Sequence, residues 1–185
     1  MVSQNDVSGS ANPTNKSLNN KVKIDEKHII EDVERALIED LSDSLINDSF
    51  EKKNEHSKAE SQISCVQYLL RQDITANLIS KNTLAQAHII CREKMVMCGR
   101  QWASYAFSML DPTIVLEWFF KDGDVIPANS TLVHIRGNAR TILTGERTAL
   151  NFLQMLSGTA TTTANYVKHL IGSKTQLLDT RKTIP

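Results

Sequence analysis

A change in hydrophobic period near Leu143 constrains the fold of this chain more than any other feature. Upstream of it, residues 84–91 alternate between apolar and other side chains, which is the pattern of a half-buried strand. Downstream, apolar residues recur every three or four positions, and these are Ala149, Phe152, Leu153, Leu156 and Ala160. That spacing predicts one face of a helix. The sequence therefore predicts a strand-rich region followed by a helix, which is an α+β arrangement.

Two polar stretches frame an N-terminal helix. Residues 1–23 contain almost no large apolar side chains and are predicted to be a disordered tail. Asp25 is a plausible N-cap, and a helical face follows it, formed by Ile30, Val33, Leu37 and Leu41. Residues 42–62 are polar and are interpreted as a mobile loop or a poorly packed helix. We therefore predict a tail over 1–24, a first domain over 25–150 with a polar insert, and a second unit over 151–185.

The first domain is predicted to contain several short strands around one helix. The predicted strands are Leu84–Cys91, Met95–Cys98, Thr113–Phe120, Thr131–Arg136 and Ala139–Leu143. The helix carries Trp102 and Tyr105 and ends at Asp111-Pro112, because the residue before a proline avoids the α region. Gly137-Asn138 is interpreted as the turn between the last two strands.

After Leu143 we expect Thr144 to cap the next helix, which places Arg147 in its first turn. Gly158 and the threonines beside it are expected to loosen or break that helix. A new strand is predicted to begin at Gln176-Leu177-Leu178. Strand, helix and strand in this order indicate the start of an α/β unit.

Charge is unevenly distributed along the chain although the net charge is zero. Residues 1–60 carry 13 acidic and 8 basic side chains, whereas residues 126–185 carry 2 acidic and 7 basic ones. A basic C-terminal third indicates either an anionic ligand or a solvated basic face. Three cysteines, Cys65, Cys91 and Cys98, form neither an even disulfide set nor a zinc pattern, which favours a reducing cytoplasm. No membrane or nucleic-acid partner is expected.

Two places carry candidate chemistry. Asp179-Thr180-Arg181-Lys182-Thr183 directly follows the predicted strand start, where α/β barrels place active-site side chains. Arg181 offers a planar fork for carboxylate or phosphate and Lys182 a point charge; the alternative is an exposed turn with two solvated cations. Arg147, if it lies in a first helical turn, is either solvated or paired with an anion, because the helix dipole disfavours a cation there.

Other polar residues are interpreted as structural. Arg136 and Arg140 flank the predicted turn and are expected at the surface. His134 and His88 each share a strand face with apolar neighbours and are expected to be structural histidines rather than catalysts. The sequence has no phosphate-binding loop, zinc spacing, dinucleotide fingerprint or Ser/His/Asp order.

Several motifs together resemble the quinolinate phosphoribosyltransferase family. The two most specific blocks are residues 143–161, which begin LTGERTALNFLQ and include LSGTAT, and residues 177–185, LLDTRKTIP. Upstream, Asp73-Ile74-Thr75-Ala76, Arg92-Glu93, Cys98-Gly99 and residues 122–125 occur in the same order as in that family. The resemblance covers about residues 25–41 and 69–185.

The resemblance implies an N-terminal α/β sandwich followed by the start of an open α/β barrel of the type II phosphoribosyltransferase kind. It implies joining of quinolinate to phosphoribosyl pyrophosphate with Mg²⁺, giving nicotinate mononucleotide, pyrophosphate and CO₂. Arg181, Lys182 and Thr180 would line the site, with Lys182 in the catalytic role of neutralising pyrophosphate together with the metal. Arg147 would reach the site of a neighbouring subunit in a homodimer or higher oligomer.

The chain departs from the family in two ways. The polar stretch near 42–68 is longer than the usual link before the Asp-Ile-Thr motif. Later histidine–arginine, lysine, carboxylate and glycine-rich phosphate motifs have no counterpart in residues 1–185, so we expect this piece alone to be inactive. Two alternatives stay open: a non-enzymatic oligomerisation or binding module, and a molybdate-associated pyrophosphorylase-like relative.

Overall fold

A computed structural model describes residues 24–41 and 73–178. The predicted tail up to residue 23, the polar insert and residues 179–185 lie outside the described residues. In chain order the elements are α1 (Glu26–Leu41), α2 (Ile74–Asn77), β1 (Leu84–Cys91), β2 (Met95–Val96), α3 (Arg100–Ser108), β3 (Val115–Trp118), β4 (Val125–Ile126), β5 (Ser130–Asn138) and α4 (Ala139–Leu170).

A three-stranded antiparallel sheet in the order β1-β5-β3 forms the centre of the domain. Ala87 on β1 and Leu116 on β3 both pair with Ile135 on β5, and a β-bulge shifts the β1–β5 register between Ile89 and Ile90. The alternation in β1 is present as predicted, with exposed Leu84 and His88 on the outer face. β2 and β4 form a separate antiparallel pair. The strand assignments of 84–91 and 113–120 are thus confirmed, the second in shortened form.

Helices cover one face of this sheet and enclose the core. α3 packs against both α1 and α4, and α4 also contacts β1 and β5. Val133 and Ile135 from the sheet join Phe107 from α3 in the buried cluster. The apolar face of α1 is formed by Ile29, Val33 and Leu37, each 0% exposed, whereas Ile30 is 36% exposed. The sequence interpretation of α1 as a helix is confirmed, but Ile29 takes the core position assigned to Ile30.

The region around Gly137-Asn138 differs from prediction, because β5 continues through both residues and α4 begins at Ala139. Asn138 caps that helix: its Oδ1 accepts from the Arg140 N–H at 2.9 Å. Gly137 lies against Ile114, whose Cγ1 would be 3.1 Å from an added Cβ. Residues 139–143 are therefore helical rather than a strand, and Thr144 is an interior helix residue rather than a cap.

α4 runs without interruption for 32 residues, so the predicted break at Gly158 is wrong. Two nearby threonines satisfy their hydroxyls inside the helix. Thr159 Oγ1 donates to the Met155 carbonyl at 2.9 Å, and Thr161 Oγ1 donates to the Ser157 carbonyl at 2.6 Å. A single glycine costs a helix only about 1 kcal/mol, which packing of the first turns of α4 offsets.

The last described residues, 175–178, have no regular secondary structure, so the strand predicted at Gln176–Leu178 does not form there. A strand is stabilised by hydrogen bonds to a neighbouring strand, and none pairs with these residues in the described part of the chain. The α+β sandwich-type domain is observed, and the barrel stays a prediction. α4 crosses the predicted domain boundary at residue 150 as one helix. Among the described residues, no helix has the length and apolarity needed to span a bilayer.

Candidate functional site

Arg147 lies on α4, two turns after the helix begins at Ala139. It is therefore not in the first helical turn, and the predicted conflict between its charge and the helix dipole does not exist. Its side chain is 75% exposed. The arginine projects from the helix surface, and its environment is decided by what packs beside α4.

Asp40 supplies the counter-charge that the sequence argument sought for Arg147. Arg147 Nη1 donates to Asp40 Oδ1 at 3.0 Å, and the Asp40 side chain is only 18% exposed. Among the contacts within residues 24–41 and 73–178, Nη1 is the one guanidinium nitrogen of Arg147 that makes a hydrogen bond. A guanidinium carries five N–H donors, so Arg147 keeps most of its donors available to an external anion.

Asp40 sits in an electrostatically unfavourable position of its own. It lies in the last turn of α1, where the helix dipole disfavours an anion, and α1 has no basic residue in that turn. Arg147 offsets this cost from outside the helix. The charge that a helix dipole disfavours at this site is therefore the carboxylate at the end of α1 and not the arginine.

Asp73, the first residue of the Asp-Ile-Thr-Ala motif, joins α2 to α4. Its Oδ1 accepts from the Ala76 N–H at 2.9 Å and caps α2, while its Oδ2 accepts from Thr144 Oγ1 at 2.7 Å. Thr144 is 4% exposed, so its hydroxyl needs a partner within the protein. The motif residues Asp73 and Thr144 thus have a structural role, because the bond between them holds α2 against α4.

Arg140, predicted to lie at the surface, is half-buried and makes several hydrogen bonds. Its Nε and Nη2 donate to the Ile79 carbonyl at 2.8 and 2.5 Å, and Nη1 donates to Asn77 Oδ1 at 2.8 Å. Asn138 Nδ2 adds a bond to the Lys81 carbonyl at 2.7 Å. The start of α4 therefore holds the segment after α2 through hydrogen bonds to the carbonyl groups of Ile79 and Lys81.

Two hydroxyls of α4, one turn apart, bind the backbone around β2. Ser157 Oγ accepts from the Cys98 N–H at 3.0 Å and donates to the Cys98 carbonyl at 2.9 Å, and Thr161 Oγ1 accepts from the Val96 N–H at 2.8 Å. Residues 96 and 98 point their backbone groups to the same side, as alternate residues of a strand do. Ser157 and Thr161 thus replace a missing neighbouring strand, which gives the LSGTAT block a structural explanation.

Gly145 allows α4 and α3 to approach closely. A Cβ at this position would lie 2.8 Å from Phe107 Cδ1 and 3.1 Å from Leu110 Cδ1. Phe107 is 1% exposed and cannot swing away into solvent. The glycine of the LTGERTALNFLQ block is therefore required by packing.

The two histidines lie on the outer face of the sheet. His134 pairs with His88 in the register of β1 and β5, with ring centroids 6.4 Å apart, and packs edge-on against Phe119 at 4.9 Å. Glu117 Oε2 lies 3.8 Å from His134 Nδ1 and 3.7 Å from Arg136 Nη2. These contacts fit the structural role predicted for the histidines, and Arg136 is at the surface as predicted.

The predicted site residues are only partly brought together. Arg147 lies within the described residues, whereas Thr180, Arg181 and Lys182 lie outside them. Across the described ranges, no group of three or more His, Cys, Asp or Glu residues could hold a metal ion. Of the four predicted substrate-binding residues, the described part therefore contains Arg147, an exposed guanidinium bound to a carboxylate.

The described residues form an α+β domain whose last helix presents Arg147 outward. A family model described as "Quinolinate phosphoribosyl transferase, N-terminal domain" matches residues 73–157. The probable nicotinate-nucleotide pyrophosphorylase [carboxylating] of Synechocystis sp. is 37% identical over 100 residues, 54% of this chain and 34% of that protein. Its namesake from Bacillus subtilis is 33% identical over 113 residues, 61% of this chain and 39% of that protein.

A solved structure agrees with these relatives. The nicotinate-nucleotide pyrophosphorylase from Francisella tularensis superposes with a TM-score of 0.69 at 37% identity, covering 88% of this chain and 49% of that one. This chain thus spans about half the length of that structure and less of the curated relatives. The resemblance to quinolinate phosphoribosyltransferase is confirmed, and it is carried by residues 73–157, which match the model of that family's N-terminal domain.

Sequence reasoning missed Asp40, Asp73, Ser157 and Thr161 as partners of the motif residues. Asp73 was part of a quoted motif, but its bond to Thr144 joins residues 71 positions apart. Asp40 is an acidic residue at the end of a predicted helix, where the dipole argument predicts a nearby cation. The same argument identifies Asp40 when it is applied to α1 instead of the helix after Leu143.

Proposed function

We propose that the complete protein containing this chain transfers a phosphoribosyl group from phosphoribosyl pyrophosphate to quinolinate, with decarboxylation. The products are nicotinate mononucleotide, pyrophosphate and CO₂. The observation that carries the proposal is the exposed Arg147 guanidinium, held by Asp40 at 3.0 Å within a domain of the quinolinate phosphoribosyltransferase type. The names of the relatives from Synechocystis sp., Bacillus subtilis and Francisella tularensis support it.

The chemistry of the substrates requires fixed cations. Quinolinate carries two carboxylates, and phosphoribosyl pyrophosphate carries several phosphate charges. Arg147 binds a quinolinate carboxylate through the donors that Asp40 does not use, since a guanidinium matches a carboxylate in two-pronged fashion. Arg181 and Thr180 bind substrate beside it, and Lys182 stabilises the charge that develops on the departing pyrophosphate.

Arg147 acts, in this proposal, on the site of a second subunit of a homodimer or higher oligomer. The exposed fraction of its side chain, 75%, is compatible with this, because a guanidinium that projects into solvent is accessible to a second chain. Mg²⁺ stays a prediction, and the described ranges contain no group of three or more His, Cys, Asp or Glu residues that could hold it. The cytoplasmic location also stays a prediction.

The test uses the complete reading frame that encodes these residues. The purified product is incubated with quinolinate, phosphoribosyl pyrophosphate and Mg²⁺, and nicotinate mononucleotide and CO₂ are measured together. Equal amounts of both products support the proposal. Nicotinate in place of quinolinate is the control, because it lacks the carboxylate that is lost and should give no CO₂. Absence of both products with a folded protein would favour the binding-module alternative.

A further inference from the structure

Asp40 is a second charged residue at the candidate site that the proposed chemistry does not yet use. Its side chain is 18% exposed, whereas that of Arg147 is 75% exposed. The carboxylate is thus enclosed by its own helix and neighbours, and among the described residues it is the only group that fixes the tip of the long arginine side chain. Without it, Arg147 would sample several rotamers in solvent.

The helix that carries Asp40 is firmly attached to the domain. Ile29, Val33 and Leu37 bury one face of α1 completely. Trp102 Nε1 donates to Asp32 Oδ2 at 3.3 Å, and the Tyr105 hydroxyl donates to Glu26, so α1 is also tied to α3 by polar contacts. Asp40 is therefore a carboxylate on a rigid element, as positioning of a flexible cation requires.

The ion pair between Asp40 and Arg147 is better explained by a role in function than by a role in stability. An ion pair with one largely exposed partner contributes little to folding, typically about 1 kcal/mol or less. Asp40 in the last turn of α1 is disfavoured by the helix dipole. A single contact through Nη1 orients the guanidinium while leaving Nε and Nη2 for a ligand.

We infer that Asp40 is a positioning residue that orients Arg147 for binding of a quinolinate carboxylate. The inference rests on the proposed function, because it assigns Asp40 a role only through Arg147. Asp40 does not contact the substrate in this scheme. It lowers the entropy cost that Arg147 would otherwise meet on binding.

The experiment is a double-mutant cycle in the complete protein with Asp40→Ala, Arg147→Ala and the double variant. We expect Asp40→Ala to raise the KM for quinolinate about fivefold or more, with the KM for phosphoribosyl pyrophosphate nearly unchanged. In the Arg147→Ala background, Asp40→Ala should have no further effect, because the side chain it positions is gone. Asp40→Asn keeps the shape and an acceptor oxygen and should fall between wild type and Asp40→Ala.

Glu39→Gln is the matched control, because Glu39 lies beside Asp40 on α1, is exposed and makes no hydrogen bond or ion pair with a described residue. It should leave both KM values unchanged. Thermal unfolding of every variant detects a structural effect.

A failure of the role inferred for Asp40 and a failure of the proposed function give different results. An unchanged quinolinate KM in Asp40→Ala, with Arg147→Ala impaired, overturns the role of Asp40 and leaves the proposed function intact. Equal losses from Asp40→Ala with and without Arg147 also overturn it, since they show that Asp40 acts through the fold. A complete protein that forms no product, or in which Arg147→Ala has no effect, overturns the assignment of Arg147 and this inference with it.

Discussion

Ser157 binds both backbone groups of Cys98, accepting from its N–H at 3.0 Å and donating to its carbonyl at 2.9 Å. One side chain on α4 therefore makes both of the backbone hydrogen bonds that a neighbouring strand would make with residue 98. The Ser157 side chain is 3% exposed, so water cannot readily replace either bond. This contact ties the LSGTAT block to the strand-rich half of the domain.

Ser157→Ala should lower the free energy of unfolding by about 2 kcal/mol, because it leaves a partly buried N–H and carbonyl without partners. Chemical denaturation with unchanged m-value would measure the loss. Thr159→Ala is the control on the same helix, since the Thr159 hydroxyl bonds only to the Met155 carbonyl of its own helix. That variant should change stability by less than about 0.5 kcal/mol. If both substitutions changed the free energy of unfolding equally, the Ser157 bonds would contribute no more to stability than the bond of Thr159 within its own helix.

The two glycines of α4 should respond to alanine in opposite directions. Gly145→Ala should destabilise by about 1–3 kcal/mol, because the added Cβ would lie 2.8 Å from Phe107 Cδ1 in a close-packed core. Gly158→Ala should stabilise by about 0.5–1 kcal/mol, because no described atom beyond the adjacent helix backbone lies within 4 Å of the added Cβ and alanine favours the helix. Melting temperatures of both variants give the comparison. Destabilisation by Gly158→Ala would contradict the continuous helix described for residues 139–170.

Glu34 should make stability depend on pH. It is 8% exposed, and burial, followed by repulsion from Glu31, raises its pKa above the ordinary value of 4.5. A raised pKa means that folding favours the protonated form, so the contribution of Glu34 is most favourable below pH 4.5 and is lost as the pH rises through the folded-state pKa. Glu34→Gln should therefore melt at a higher temperature than wild type at pH 7.

The difference between Glu34→Gln and wild type should shrink as the pH falls toward 4.5 and below, where Glu34 is neutral in both states. Melting curves across this range, with exposed Glu39→Gln as the control, measure it. A constant difference at all pH values would indicate that the substitution changes packing rather than ionisation.

Arg147→Ala should reduce kcat/KM for quinolinate roughly 10- to 150-fold in the complete protein, since a lost charge-assisted contact costs about 1.5–3 kcal/mol. Arg147→Lys should recover only part, because an ammonium cannot form the two-pronged contact. Steady-state kinetics with both substrates varied would measure these changes.

The proposal that Arg147 serves a second subunit has its own test. Arg147→Ala subunits are mixed with Arg181→Ala subunits, each strongly impaired alone. If sites are shared, some mixed dimers contain one site with both arginines, and activity rises above that of either variant. Lack of recovery, with mixed dimers demonstrated by native mass spectrometry, would show that each site is built within one chain.

The sequence by itself determined the elements with a strong repeating pattern. The alternation over residues 84–91 is observed as β1, and the helical spacing after Leu143 is observed within α4. Both signals are local, because side-chain direction repeats every two residues in a strand and every 3.6 in a helix. The motif blocks likewise indicated the resemblance that the family model supports over residues 73–157, because they are read from consecutive residues.

The tertiary structure decided where elements end and what the polar residues contact. Gly137-Asn138 has the composition of a turn, yet packing against Ile114 and bonds to Lys81 and Arg140 make it the end of β5 and the cap of α4. Asp40 and Arg147 are 107 residues apart in the chain and 3.0 Å apart in space. No local pattern encodes that proximity, because it depends on how α1 and α4 pack around the same core.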